Sequence, residues 1–195
     1  MTLDKFLKSK YILASKSQRR IKLLKQIGLD FHSIDSKVKE INSSSFSPLE
    51  LVRINSVNKA LEVAKHFKKE IVIAADTIVV SNGKVLNKPS NLIQARKHLR
   101  LLSGKKHVVY TGINLIDTST GKSIFGYEKT YVHFRKLTTE EIMYYVKTYK
   151  PLDKAGAYGI QDDFGCLFIE KITGDYYNVV GFPLVKFYKM LSKIL

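Results

Sequence analysis

The sequence feature that most constrains the fold is the stretch "IVIAADTIVV" at residues 71–80, an apolar run that contains one carboxylate. Short runs rich in β-branched residues are typical of a strand covered on both faces. A buried aspartate costs several kcal/mol unless it is paired or binds a cation, so Asp76 indicates a functional site. The alternative is an aspartate at the end of a strand, accepting turn hydrogen bonds.

Strand and helix patterns alternate along the chain. They predict an α/β domain with a mixed parallel and antiparallel sheet flanked by helices. Asn82-Gly83 predicts a hairpin turn directly after the apolar strand. The predicted strands are Tyr11 to Ala14, 71–80, Val85-Leu86, Val108 to Asp117 and Ser123 to Phe134, and the predicted helices are about 17–27, from 47, 92–102, from 138 and from 183.

The second helix has the clearest start signal. Ser47 and Glu50 form a capping-box pattern, with Pro48 at the first helical position. Within this helix the pattern predicts an apolar stripe of Ile54, Val57, Leu61 and Ala64. Further along, we interpret 174–183 as a turn-rich run before the last helix.

The size of the chain predicts one domain over residues 1–195 with a full hydrophobic core. A single cysteine, Cys166, fits a reducing compartment. The sequence contains no apolar run of the ~18 residues that a membrane span needs, and its first residues lack a secretory pattern. We therefore expect a cytoplasmic protein that does not enter membranes. The five histidines are scattered without metal-ligand spacing, which disfavours a structural zinc site.

The formal net charge of +16 suggests a polyanionic partner, either a nucleic acid or a nucleotide. Only six of the 33 basic residues are arginines, and the lysines are dispersed rather than clustered. A general lysine bias explains that distribution equally well. Nucleic-acid binding is therefore disfavoured as the main role.

The stretch "LASKSQRR" at residues 13–20 joins a short strand to a helix. Free amides at a helix N-terminus, serine hydroxyls and arginines are suitable donors for a phosphate. It is not the common glycine-rich phosphate loop, because it lacks glycine and a Gly-Lys-Ser/Thr ending. Taken alone, two solvated arginines on a surface helix are the more common interpretation.

Six motifs carry a resemblance over nearly the whole chain: "LASKSQRRIKLLKQIGLDF", "AADTIVV", "LNKP", "LSGKKHVVYTG", "PLDKAGAYGIQ" and "GDYYNVVGFPL". In this order and spacing they are similar to the Maf family of nucleoside triphosphate pyrophosphatases. The resemblance implies a fold like that of inosine triphosphatases, a homodimer, and hydrolysis of a nucleoside triphosphate to the monophosphate and pyrophosphate. It also implies a divalent metal cation, Mg²⁺ or Mn²⁺.

The resemblance also assigns roles to individual residues. Asp76 matches the proton acceptor, while Arg19, Thr77 and Gln161 match the specificity positions of the branch that uses dTTP and UTP. Glu40 and Asp76 match acidic positions that can hold the metal. Five residues match polar positions that bind phosphate or substrate: Ser15, Arg20, Lys59, Lys88 and Lys154.

Three positions depart from the family pattern. Gln18 replaces a proline, Asn58 replaces a glutamate, and Asp162-Asp163 replaces glycine after Gln161. Asn58 removes a candidate metal ligand, and Asp162 adds negative charge beside the base pocket. The alternative function that the resemblance leaves open is a non-catalytic nucleotide sensor linked to cell division.

Overall fold

The computed structural model describes residues 2–161 and 164–195. Its helices are α1 (Leu3–Lys8), α2 (Gln18–Gln26), α3 (Pro48–Ala64), α4 (Leu92–Leu102), α5 (Thr139–Tyr149), α6 (Tyr176–Val180) and α7 (Leu184–Ile194). Its strands are β1 (Tyr11–Leu13), β2 (Phe31–Ser33), β3 (Ile71–Ser81), β4 (Lys84–Leu86), β5 (Lys106–Asp117), β6 (Ser123–Phe134) and β7 (Ile169–Thr173). Two short 3₁₀ segments cover Ala155–Ala157 and Phe164–Phe168.

The strands form one mixed sheet in the order β2-β1-β3-β5-β6-β7, with β4 paired to β3. Strand β1 is parallel to both β2 and β3, whereas the pairs β3–β4 and β6–β7 are antiparallel. The predicted α/β class with parallel and antiparallel pairs is therefore confirmed.

The chain separates into two compact units. The first contains the chain up to Asp76 together with Thr111–Glu128 and Gly181–Leu195, and the second contains Thr77–Tyr110 and Lys129–Val180. The prediction of one domain stays a prediction. Each unit has its own apolar cluster. The cluster of the first unit consists of Ile12, Ala14, Ala60, Val63, Val72, Ala74 and Ile116. The cluster of the second unit includes Leu99, Leu102, Phe134, Tyr145, Val146 and Phe168.

Local sequence signals placed most element boundaries correctly. The capping box of α3 forms as predicted, with the Glu50 amide donating to Ser47 Oγ and the Ser47 amide donating to the Glu50 carboxylate. The hairpin turn between β3 and β4 has positive φ at both Asn82 and Gly83, the geometry that this dipeptide favours. These signals depend only on neighbouring residues, so they are readable without the fold.

The predicted turn-rich run at 174–183 was wrong in its middle, where residues 176–180 form the helix α6. The amides of Tyr177 and Asn178 both donate to Asp175 Oδ1, so an aspartate caps this helix. The Asn178 side chain donates to Val109 O and to Thr130 Oγ1, which anchors the helix in the second unit. A five-residue helix has no apolar periodicity, and long-range bonds therefore decide its structure.

Helix α3 buries a different face from the predicted apolar stripe. Leu61 is 49% exposed, and Ile54, Val57 and Ala64 are only half-buried, so the predicted apolar stripe is not the fully buried face of the helix. The buried face instead consists of Leu51, Val52, Asn55, Ser56, Lys59, Ala60 and Val63. Three of these residues are polar. Their burial requires bonding partners, and those partners define the candidate site.

No helix in the described part of the chain has the length and apolar character needed to cross a membrane.

Candidate active site

Asp76 lies in the interior of β3 and is 4% exposed. The alternative of an aspartate at a strand end is therefore excluded. Asp76 Oδ1 accepts a hydrogen bond from Lys59 Nζ at 2.7 Å, and Oδ2 accepts one from Asn55 Nδ2 at 3.2 Å. Because both oxygens are bonded, the carboxylate plane has a defined orientation.

Lys59 neutralises Asp76 from the buried face of α3. The residue is 7% exposed, and its Nζ also donates to Glu40 Oε1 at 2.6 Å. A buried charge is tolerated only when it is paired and hydrogen-bonded. Lys59 forms two such pairs, one with Asp76 and one with Glu40. An ammonium group has three N–H donors, so two carboxylates leave one donor for a further acceptor. The three side chains carry a formal net charge of −1.

Glu40 reaches Lys59 from a segment without regular structure. Residues 34–47, all of them described, contain neither helix nor strand, and the Glu40 side chain is 40% exposed. The neighbouring residue Ile41 donates its amide to Asn55 Oδ1 at 2.8 Å and accepts from Asn55 Nδ2 at 3.1 Å. The segment is thus attached to α3 beside the ion pair.

Ser15 and Arg20 lie where β1 ends and α2 begins. Arg20 Nη1 donates to Ser15 Oγ at 3.3 Å, and Arg20 Nε donates to Gly181 O at 3.0 Å. Burial lowers the pKa of Arg20, whereas the negative charges of Asp76 and Glu40 oppose that shift. Arg20 is half-buried and bonded, so it is not the solvated surface arginine of the alternative interpretation. Arg19, its neighbour, is also half-buried.

The other predicted site residues lie in the second unit. Thr77 and Gln161 are half-buried, and Lys88 is exposed after β4. Lys154 is 8% exposed and donates to Asp153 Oδ1 at 3.2 Å. Asp162 and Asp163, which the sequence places beside Gln161, lie outside the described residues.

The glycine-containing loop at 151–161 packs tightly within the second unit. Gly156 has a φ of +69°, and a Cβ at this position would lie 3.1 Å from the Val79 side chain. Its lack of a side chain therefore serves close packing against β3. Glycines in a loop can also let a ligand approach the backbone, but at Gly156 the close neighbour is the Val79 side chain.

The described carboxylates can supply only part of a metal site. No group of three or more His, Cys, Asp or Glu side chains among residues 2–161 and 164–195 is arranged to hold a metal ion. Glu40 and Asp76 nevertheless place two carboxylates around one buried cation, Lys59 Nζ. Mg²⁺ is commonly bound through one or two carboxylates, with substrate phosphates and waters completing its octahedron. The donor set fits a metal of this kind.

A groove of about 540 Å³ lies elsewhere, between α4 and α5 in the second unit. Its lining includes Leu92, Met143 and Tyr144 and contains none of the predicted site residues.

The structure joins three of the predicted residues, Asp76, Lys59 and Glu40, by hydrogen bonds. Their further partner Asn55 was not predicted. The signal that could have found Asn55 was the buried Asp76 carboxylate, because it needs hydrogen-bond donors from a neighbouring element. Asn55 and Lys59 are four residues apart and therefore share one face of α3.

The fold and the site together describe an α/β protein in which a lysine and an amide donate hydrogen bonds to an aspartate inside a strand. The model of the Maf-like protein family matches residues 10–194. The chain belongs to this family.

Its relatives match almost from end to end. A dTTP/UTP pyrophosphatase of Dictyoglomus thermophilum is 43% identical over 189 residues, covering 96% of this chain and 97% of that protein. The protein of that name from Thermoanaerobacter sp. strain X514 is 48% identical over 185 residues, covering 94% and 96%. Among solved structures, the Ham1 protein of Staphylococcus aureus has a TM-score of 0.47 at 18% identity, covering 65% of this chain and 72% of that one.

Proposed function

We propose that this protein is a nucleoside triphosphate pyrophosphatase that hydrolyses dTTP and UTP to the monophosphate and pyrophosphate. The observation that carries the proposal is Asp76, a buried carboxylate fixed through both oxygens by Lys59 and Asn55. The names of the similar proteins support the substrate class, since they are dTTP/UTP pyrophosphatases.

The proposed reaction is attack of one water molecule on the α-phosphorus. The water oxygen bonds to that phosphorus, the bond to the oxygen that bridges the α and β phosphorus atoms breaks, and pyrophosphate leaves with that oxygen. Asp76 accepts the proton from the water. A general base held in one orientation is worth ~10²–10⁴ in rate, and the bonds from Lys59 and Asn55 supply that orientation.

Cationic and hydroxyl side chains would bind the triphosphate, which carries about four negative charges. In the first unit, Arg20 and Ser15 already share a hydrogen bond, and Lys59 retains one N–H for a phosphate oxygen. We assign Lys88 and Lys154 the same role.

A divalent cation, Mg²⁺ or Mn²⁺, would be held by Glu40 and Asp76. When bound, it would neutralise charge on the phosphate oxygens as a Lewis acid. Glu40 suits this role because its side chain is 40% exposed and thus accessible from solvent.

Base preference is proposed to depend on Arg19, Thr77 and Gln161. Hydrogen bonds from Thr77 and Gln161 to a pyrimidine edge would each contribute about 1 kcal/mol. A homodimer and a cytoplasmic location complete the proposal, on the strength of the family resemblance and the single cysteine.

The test is pyrophosphate release from a panel of triphosphates: dTTP, UTP, dCTP, CTP, ATP and GTP, each with Mg²⁺. We expect dTTP and UTP to be hydrolysed fastest, with ¹⁸O from labelled water appearing in the monophosphate. Release of inorganic phosphate, or label in the pyrophosphate, would contradict attack at the α-phosphorus. Triphosphate binding with metal present but without hydrolysis would instead support the nucleotide sensor.

A further inference from the structure

We infer that Asn55 is a positioning residue that fixes both carboxylates of the active site, an inference that rests on the proposed pyrophosphatase function. Asn55 is 3% exposed and lies on the buried face of α3, one helical turn before Lys59. A buried amide requires partners for its two N–H donors and its carbonyl oxygen. The structure provides a partner for each of them.

The first set of bonds fixes the segment that carries Glu40. Asn55 Oδ1 accepts from the Ile41 amide at 2.8 Å, and Asn55 Nδ2 donates to Ile41 O at 3.1 Å. The Asn55 amide thus exchanges two hydrogen bonds with the Ile41 backbone, as a hydrogen-bonded residue pair does in an antiparallel sheet. Because residues 34–47 contain no helix or strand, such a pair restricts the position of the backbone directly beside Glu40.

The third bond fixes the proposed base. The second N–H of Asn55 Nδ2 donates to Asp76 Oδ2 at 3.2 Å, while Lys59 holds Oδ1. The amide orientation follows from the network, since Ile41 N–H needs an acceptor and Asp76 needs a donor. Asn55 thereby holds Oδ2 without adding charge.

These bonds place one side chain between two carboxylates that come from distant parts of the chain. Glu40 depends on Asn55 through the backbone at Ile41, and Asp76 depends on it directly. Residues that orient catalytic or metal-binding side chains typically change metal affinity or activity by about 10–100-fold when they are removed. Asn55 contacts neither the reacting water nor the phosphates in this proposal, so its effect should fall on kcat.

The test compares Asn55→Ala and Asn55→Asp with Ser56→Ala. Ser56 is the adjacent, fully buried polar residue of α3, and its Oγ donates only to helix carbonyls, Val52 O at 2.6 Å and Arg53 O at 3.1 Å. Asn55→Ala removes all three bonds. Asn55→Asp is nearly the same size and retains an acceptor for Ile41 N–H, but it loses both donors and puts a carboxylate beside Asp76.

For UTP hydrolysis we expect Asn55→Ala to lower kcat about 10–100-fold with KM within about threefold of the wild type. Asn55→Asp should lose at least as much, whereas Ser56→Ala should remain within about twofold. Amide hydrogen exchange at Ile41 should accelerate in Asn55→Ala and stay slow in Asn55→Asp, provided that each variant shows a cooperative thermal transition.

A wild-type kcat in either Asn55 variant, or an equal loss in Ser56→Ala, would overturn the inference. So would unchanged exchange at Ile41 in Asn55→Ala. If the wild-type chain releases no pyrophosphate at all, the proposed function fails, and exchange at Ile41 still decides whether Asn55 fixes the Glu40 segment.

Discussion

Replacing Asp76 by asparagine tests the proposed base directly. Asparagine has nearly the same shape, so the interior of β3 can accommodate it, but an amide does not accept the proton from water. We expect turnover of UTP to fall by about 10²–10⁴. Pyrophosphate release, measured at saturating UTP and Mg²⁺, reports this loss as a change in kcat.

The structure also sets the expected stability change. An asparagine at position 76 can accept from Lys59 through its oxygen, but its NH₂ group then faces Asn55 Nδ2, which lies 3.2 Å from the present Oδ2. Two donors face each other, and Asn55 is held in place by Ile41. One unsatisfied buried group costs about 1–3 kcal/mol, which for a chain of this size lowers Tm by roughly 2–12 °C. The variant should therefore remain folded at room temperature.

The matched control is Asp30→Asn, the same chemical change at an exposed position. It should leave both turnover and Tm unchanged. If a folded Asp76→Asn variant retained more than about a tenth of wild-type turnover, Asp76 would not be the general base. UTP binding is also compared between Asp76→Asn and Asp30→Asn. Equal binding shows that the site is folded in Asp76→Asn, so that its loss of turnover reports the loss of the base.

Three further predictions concern packing, pH and base preference. Gly156→Ala should lower the free energy of unfolding by about 1–3 kcal/mol in urea titrations, because it adds a Cβ near Val79 to a backbone with positive φ. The hydrogen bond from Arg135 lowers the pKa of Glu141 to about 2, below its usual 4.5. That contribution to stability is present above about pH 4.5 and is lost as the pH falls towards 2, so Glu141→Gln should show a flatter dependence of Tm on pH in this window. Thr77→Ala should reduce the preference of kcat/KM for UTP over CTP by about fivefold.

Each of these predictions has its own control or contrary result. Gly121 has a similar φ of +74° with nothing within 4 Å of an added Cβ. Gly121→Ala should therefore cost less than the Gly156 change, and equal costs would contradict a contact with Val79. If the Tm of Glu141→Gln fell with acid as steeply as that of the wild type, the ion pair between Glu141 and Arg135 would not contribute to stability. If the Thr77 and Gln161 variants both kept the wild-type ratio of UTP to CTP hydrolysis, base preference would arise elsewhere.

Signals that depend on neighbouring residues predicted much of the fold. Ser47 and Glu50 cap α3, and Asn82-Gly83 turns β3 into β4, because each motif is complete within four residues. The helix at 176–180 was missed for the opposite reason. Its stability depends on Asn178 bonds to Val109 and Thr130, which are distant in sequence.

The predicted apolar stripe of α3 is not its buried face, because periodicity treats every polar residue as exposed. Asn55 and Lys59 are polar and buried, since Asp76 supplies the acceptor that each of them needs. The sequence contains that information in another form. Burying Asp76 requires donors, and two donors four residues apart on one helix can reach the same carboxylate. A buried carboxylate in a strand therefore constrains the neighbouring helix as well as the site. In this chain it favours the face of α3 that carries Asn55 and Lys59 together with Leu51, Val52, Ala60 and Val63.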